Sequence, residues 1–262
     1  MDREDFLRLR AERGYLTEAF FGRADLSSLE IVGLFLIRVN FVEANFQRSN
    51  LSESVFFGSD FEGALLQNAT ATEANFSGVD LLNANLEASN CSRAIFRGAH
   101  LLGSSMRRAI LNYADFREAN LREANFQEAS LERAIFQGSR SWKANFTTTN
   151  LQLASFRDAD LTRATFAGAD LTGAEFARAN LTGVDFTGAT LTGANFTAAN
   201  LTGVNLTGVD LARTGLHIKG LFVKHYLARE SEGFLVGQGT EEPQENPSVK
   251  TEWDHLLGEG DS

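Results

Sequence analysis

A large apolar residue recurs at every fifth position from Phe21 to Leu221. Of the 41 positions whose numbers end in 1 or 6, 36 are Leu or Phe, and the exceptions are Ile31, Ala71, Cys91, Met106 and Ser141. Two residues before each of these centres stands a small side chain, usually Ala, as at Ala114, Ala119 and Ala159, otherwise Ser, Val or Thr; only Leu29, Leu34 and Lys219 break that rule. Between the two, Asn or Asp is favoured (Asn120, Asn125, Asp160, Asp170), and the other two positions are mostly polar, Gly or Thr. Period five matches neither the 3.6 repeat of an amphipathic helix nor the alternation of a strand. A chain keeps every fifth residue inward only by turning a corner once per unit, so the pattern predicts a stack of repeated bends with one small and one large inward residue each.

The unit A-(D/N)-(L/F)-x-x resembles that of the pentapeptide-repeat family, and the match runs from about Phe21 to Leu216. The resemblance implies an all-β fold, a right-handed quadrilateral β-helix of about ten coils with short helical caps. Twenty residues then make one turn, and coils that pair as parallel strands rise by about 4.8 Å each. Sorted by every twentieth residue, one side is a column of Phe from Phe56 to Phe196. Its opposite holds Phe46, Phe126, Phe146, Phe166 and Phe186, and the remaining sides are mainly Leu. Such ladders read as core packing, not as a ligand-binding aromatic box. Ala71 lies across one coil from the larger Phe61, a compensation of volume. Ser141 has no such partner, which predicts a local underfilling or distortion. Cys91, in a central slot, reads as an inert buried residue.

Open coil edges must be capped to prevent end-to-end growth. Arg3 to Arg13 place Phe6, Leu7 and Leu9 among charges, which suits a short helix ending near Gly14. Residues 1–20 are therefore expected to be an N-terminal helical cap, 21–220 the solenoid, and 221–236 a second cap built on Leu221, Phe222, Tyr226 and Leu227. Both prolines, Pro243 and Pro247, lie in the last stretch, and 237–262 reads as a flexible acidic tail. Within it Trp253, Leu256 and Leu257 have short helical spacing, suited to docking on the chain's own end, on another copy or on a partner.

The 262 residues are 43% hydrophobic, enough for a substantial core. A single cysteine, a charged start and no apolar run near the roughly 18 residues of a membrane span lead to the expectation of a cytoplasmic protein without a membrane span. His100, His217, His225 and His255 show no metal-ligand spacing with Cys or carboxylates, and no phosphate-binding, zinc-protease or nucleophile-elbow motif occurs. No catalytic residue, cofactor or metal is expected, and the chain does not read as an enzyme.

Some members of the family resemble duplex DNA in shape and acidity and bind type II topoisomerases; the family's proteins abound in phototrophic bacteria and include regulators acting by protein contact. The net charge of −10 divides as −1 over residues 1–20, −3 over 21–221 and −6 over 222–262. The rod is thus nearly balanced, which weakens the DNA-mimic alternative, a gyrase binder. Arg93, Arg97, Arg107, Arg108, Arg117, Arg122 and Arg133 alternate with Glu118, Glu123, Glu128 and Glu132, which argues against a continuous phosphate-tracking stripe and so against direct nucleic-acid binding. Departures from the repeat are more informative. One side carries outward Val42, Leu82, Leu102 and Trp142, and the neighbouring Phe-rich side carries outward Phe35, Ile37, Val55, Phe57, Ile95 and Ile135. These residues predict a protein-binding patch on a scaffold or regulatory adaptor, a monomer or an end-to-end dimer.

Overall fold

The computed structural model describes residues 1–210; the C-terminal cap and tail expected over 221–262, with Trp253, Leu256 and Leu257, lie outside the described residues. Helix α1 (Arg3–Arg13) opens with a capping box between Asp2 and Asp5 and ends at Gly14, whose φ of 67° closes the helix in the left-handed region. Strand β1 (Tyr15–Thr17) follows at once and pairs in parallel with β2 (Phe35–Ile37). From there every bridge joins residue i to residue i+20, from Phe20 with Asn40 to Asp185 with Asn205, without a single slip of register. The architecture is the right-handed four-sided β-helix. Its ladder begins at Tyr15, inside the stretch expected to be cap; Gly14 stands where the motif places Ala, so the first unit does not announce itself.

The unit centred on Phe46 shows how each backbone donor is satisfied. The N–H groups of Phe46 and Arg48 donate to the next coil, to the carbonyls of Leu65 (2.7 Å) and Gln67 (3.1 Å), and that of Asn45 donates to Ala24 of the coil before (2.9 Å). The Ser49 N–H closes the corner on the Phe46 carbonyl at 3.0 Å. The remaining donor, on Gln47, is taken by Asn45 Oδ1 at 3.0 Å. That bond explains the repeat's preference for Asn and Asp: the side chain caps an N–H that takes no carbonyl of either neighbouring coil. Where Ser130 occupies the slot, Asn112 of the coil before reaches across, its Oδ1 accepting from the Glu132 N–H (3.0 Å) and the Ser130 hydroxyl (2.7 Å).

Four faces result, and in chain order they are here called I (centres Leu36, Phe56 to Phe196), II (Phe21, Phe41, Phe61, then mainly Leu), III (Phe46, Phe126 to Phe186) and IV (Leu51 to Leu191). Face I rings stack coil upon coil, 4.6 Å apart at Phe136 and Phe156 and 5.1 Å at Phe76 and Phe96, and meet the face III rings edge-on, as Phe126 meets Phe116 at 86°. Phe61 touches Phe41, Phe46, Phe56 and Phe76, filling the coil in which Ala71 is small. At Ser141 the backbone keeps its register, Arg140 bridging Asp160, so no distortion is present there. α1 lies over the first coil: Phe6 is buried with its ring 5.2 Å from Phe21, and the Arg3 guanidinium donates to the edge carbonyl of Ser27 at 2.7 Å.

Candidate protein-binding faces

The corner geometry decides which side chains point out. Every position ending in 3 or 8 from Glu18 to Gly208 has positive φ, in 25 cases without glycine. That is the third residue of a turn closed by the centre's carbonyl, and it throws its side chain clear of the rod. Positions on either side of a centre lie flat on a face, stacked coil upon coil about 4.8 Å apart.

On face I, Tyr15, Phe35 and Val55 succeed one another in one such column, and Ile37 and Phe57 in the other. Phe35 is 57% exposed, Phe57 56% and Tyr15 55%; Val55 and Ile37 are half-buried between them. Phe20, 66% exposed, begins face II beside them. Sequence reading missed Tyr15 and Phe20 because it counted coils from Phe21. Ile95 and Ile135 occupy the same column as Phe35, separated from the cluster and from each other by Asn75 and Asp115.

On face II, Leu102 is exposed while Val42, Leu82 and Trp142 are half-buried. Leu102, Arg122, Glu123, Trp142 and Asp160 line an open groove of about 490 Å³. Lys143 Nζ sits 4.2 Å from the centroid of the Trp142 ring and 4.0 Å from Glu123, so the indole carries a cation on one side and leaves its edge to the groove. Val42 stands apart, with Glu62 between it and Leu82. Of the expected residues, Phe35, Ile37, Val55 and Phe57 therefore form one cluster and Leu82, Leu102 and Trp142 another, while Val42, Ile95 and Ile135 stand apart.

Charge is distributed unevenly along the axis. Residues 1–90 carry 7 basic and 14 acidic side chains, whereas residues 91–180 carry 12 and 9. Many are paired across one coil at the corners: Arg38 with Glu18 (2.7 Å), Arg23 with Glu43 (2.6 Å) and Arg178 with Asp158 (2.7 Å). Burial raises the Asp115 carboxyl, but hydrogen bonds from the Arg117 side chain and backbone, together with the charges of Arg117 and Arg97, outweigh it and hold the group below the usual carboxylate range. Cys91 is fully buried; burial pushes its thiol up to about 11 against an opposing hydrogen bond with Ser89, so it is neutral and shielded from reagents. Among the described residues no three His, Cys, Asp or Glu converge as a metal site would require, and no helix is long and apolar enough to cross a membrane.

Two family models match the chain: one described as a pentapeptide repeat region, over residues 109–186, and one described as "Pentapeptide repeats (8 copies)", over 36–70, 64–103, 74–112 and 174–213. Together they run without a gap from 36 to 213. No curated protein shows a significant match. Among solved structures, HetL from the cyanobacterium Nostoc sp. strain PCC 7120, a pentapeptide repeat protein involved in heterocyst differentiation regulation, is 24% identical; the alignment covers 80% of this chain and 96% of that one, with a TM-score of 0.49. QnrB1, a plasmid-mediated fluoroquinolone resistance protein, is 23% identical over 82% of this chain and 95% of its own, with a TM-score of 0.34.

Proposed function

As the chain belongs to the pentapeptide-repeat family, we propose that it is a non-enzymatic scaffold, a rigid rod that holds another protein against faces I and II. The observation that carries this reading is the placement of Phe35, Phe57, Leu102 and Trp142. They are large apolar side chains held outward on a backbone that is bonded coil to coil in one unbroken register, so their placement is not a transient of a loose surface. Aromatic anchors on a preorganised surface give association with little ordering cost. The consensus coils after Thr162 present mainly Thr, Gly and Ala, and offer no such anchors. Paired corner charges and a basic middle weigh against the gyrase-binding DNA mimic, which needs negative potential along the whole rod.

The test is replacement of Leu82, Leu102 and Trp142 together by Ser, Gln and Gln, with Thr182 and Thr202 changed to Gln as the control on the same face. The scaffold reading expects the first variant to lose its partner in a pull-down while melting as a cooperative rod, and the control to keep it. Retention of every partner by the first variant contradicts a role for face II.

A further inference from the structure

Face I is not uniform along its length, and its two halves are complementary to each other. Its N-terminal coils are apolar and acidic, with Phe35, Val55 and Phe57 flanked at the corner by Glu53 and Glu73. Its middle coils are aliphatic and basic, with Ile95 and Ile135 beside Arg93, Arg97, Arg117 and Arg133. We propose that face I is a self-association surface, on which two copies of the chain pair side by side and antiparallel, the apolar acidic coils of each against the basic middle coils of the other. This rests on reading face I as a protein-contact surface and names its occupant.

The fixed register makes the pairing calculable. A two-fold axis lying in the interface across the rod superposes each outward column on the same column of the partner, run in the opposite direction. Set between the coils of Phe76 and Phe96, it brings Glu73 opposite the partner's Arg93, Phe35 opposite the partner's Ile135, and Phe57 opposite the partner's Arg117 as an aromatic face to a guanidinium. Each contact occurs twice. Arg93 also reaches Glu73 of its own chain, at 3.4 Å and with both side chains more than half exposed, a loose pair free to exchange partners. Asp115, which falls opposite Val55, is neutralised within its own chain by Arg117 and Arg97. Glu18 and Asp158, which fall opposite one another, are paired with Arg38 and Arg178.

Eight coils, from Leu16 to Phe156, give a strip about 38 Å long, and four extended residues across give about 13 Å, so each copy covers roughly 500 Å². The total near 1,000 Å² stands at the lower limit for a specific interface, so the pairing is a reversible association that weakens with added salt.

Analytical ultracentrifugation of the full chain, at rising concentration up to about 0.5 mM, reads this directly. The wild type is expected to shift from monomer to dimer. Glu73→Arg and Arg93→Glu are each expected to dimerise at least tenfold more weakly, because each places like charges opposite one another twice. An equimolar mixture of the two is expected to recover the dimer, because in the mixed pair every facing contact is again Arg with Glu. Far-UV circular dichroism and melting show that each variant is folded, and Phe57→Ser supplies an independent loss if either charge variant is not. A wild type that stays monomeric, or a dimer that both charge variants retain, overturns the proposal. The Leu82, Leu102 and Trp142 test reads face II separately, so failure of self-pairing is distinguishable from failure of the scaffold reading.

Discussion

The hydroxyls of Ser139 and Ser141 lie 3.0 Å apart in the fully buried interior, the only contact between two side-chain hydroxyls found in the core of the described coils. Ser141 occupies a face II centre that holds Leu in the coils around it, at Leu101, Leu121, Leu161 and Leu181. Ser141→Leu is expected to stabilise the rod by about 1–2 kcal/mol, since the added apolar burial outweighs one neutral hydrogen bond. Ser139 can then turn to the Phe136 carbonyl, as Ser49 does to Phe46. A thermal melt checks this: a rise of a few degrees supports it, and a fall means that the slot has already closed.

The side-chain cap of each corner is expected to be worth about 1 kcal/mol. Asn145→Ala removes the acceptor of the Thr147 N–H (3.0 Å), whereas Asn145→Asp keeps it. Urea unfolding of the pair should separate them, with the Ala variant less stable; equal midpoints would show that water serves the N–H as well as the amide oxygen does.

Gly173 and Gly193 share the left-handed corner conformation, at φ 69° and 68°, but differ in surroundings. A Cβ at Gly173 would lie 2.6 Å from Leu153 Cδ2, and one at Gly193 would meet nothing within 4 Å. Each Ala variant is expected to cost about 1 kcal/mol for its backbone, and Gly173→Ala more, because Leu153 must also move. In a Leu153→Ala background the excess should vanish, and its persistence would place the cost elsewhere.

Acid should destabilise the rod in a defined window. The carboxyls of Glu87, Asp115 and Asp158 are lowered, Glu87 and Asp158 first by side-chain bonds from Arg108 and Arg178, and Asp115 by the bonds from Arg117 that overcome its burial. A lowered carboxyl stabilises the folded state above its unfolded pKa of about 4, and that contribution is lost as pH falls through the folded value. Melting temperature is therefore expected to be level from neutral pH to about 5 and to fall below about 4. Asp115→Asn should flatten that fall; parallel curves would deny Asp115 a share in it.

The rod's charge pattern also leads to the expectation that purified protein leaves gyrase supercoiling unchanged at micromolar concentration. Inhibition or protection there would restore the DNA-mimic reading.

The repeat was legible because the inward positions carry a strong physical constraint. Phe96 and Phe116 must stack 4.9 Å apart, and nothing but an apolar residue of similar size satisfies that. The corner conformation was less so. Glycine marks it at Gly183 and Gly193, but Glu123, Lys143 and Leu153 adopt the same positive φ, because cross-coil hydrogen bonds on both sides impose it whatever the residue. The outward apolar residues were legible one by one. Their grouping was not, since it depends on which neighbours shield them: Trp142 is half-buried against its groove, while Phe35 stands open.

Site-specific photo-cross-linking in the native cell tests the central claim most directly, with a photoreactive phenylalanine at Phe57, at Trp142 and, as control, at Thr187. The scaffold account expects discrete cross-linked protein species from Phe57 and Trp142 and none from Thr187, the Phe57 species including a second copy of this chain. Equal cross-linking from all three positions, or none from Phe57 and Trp142, would contradict it.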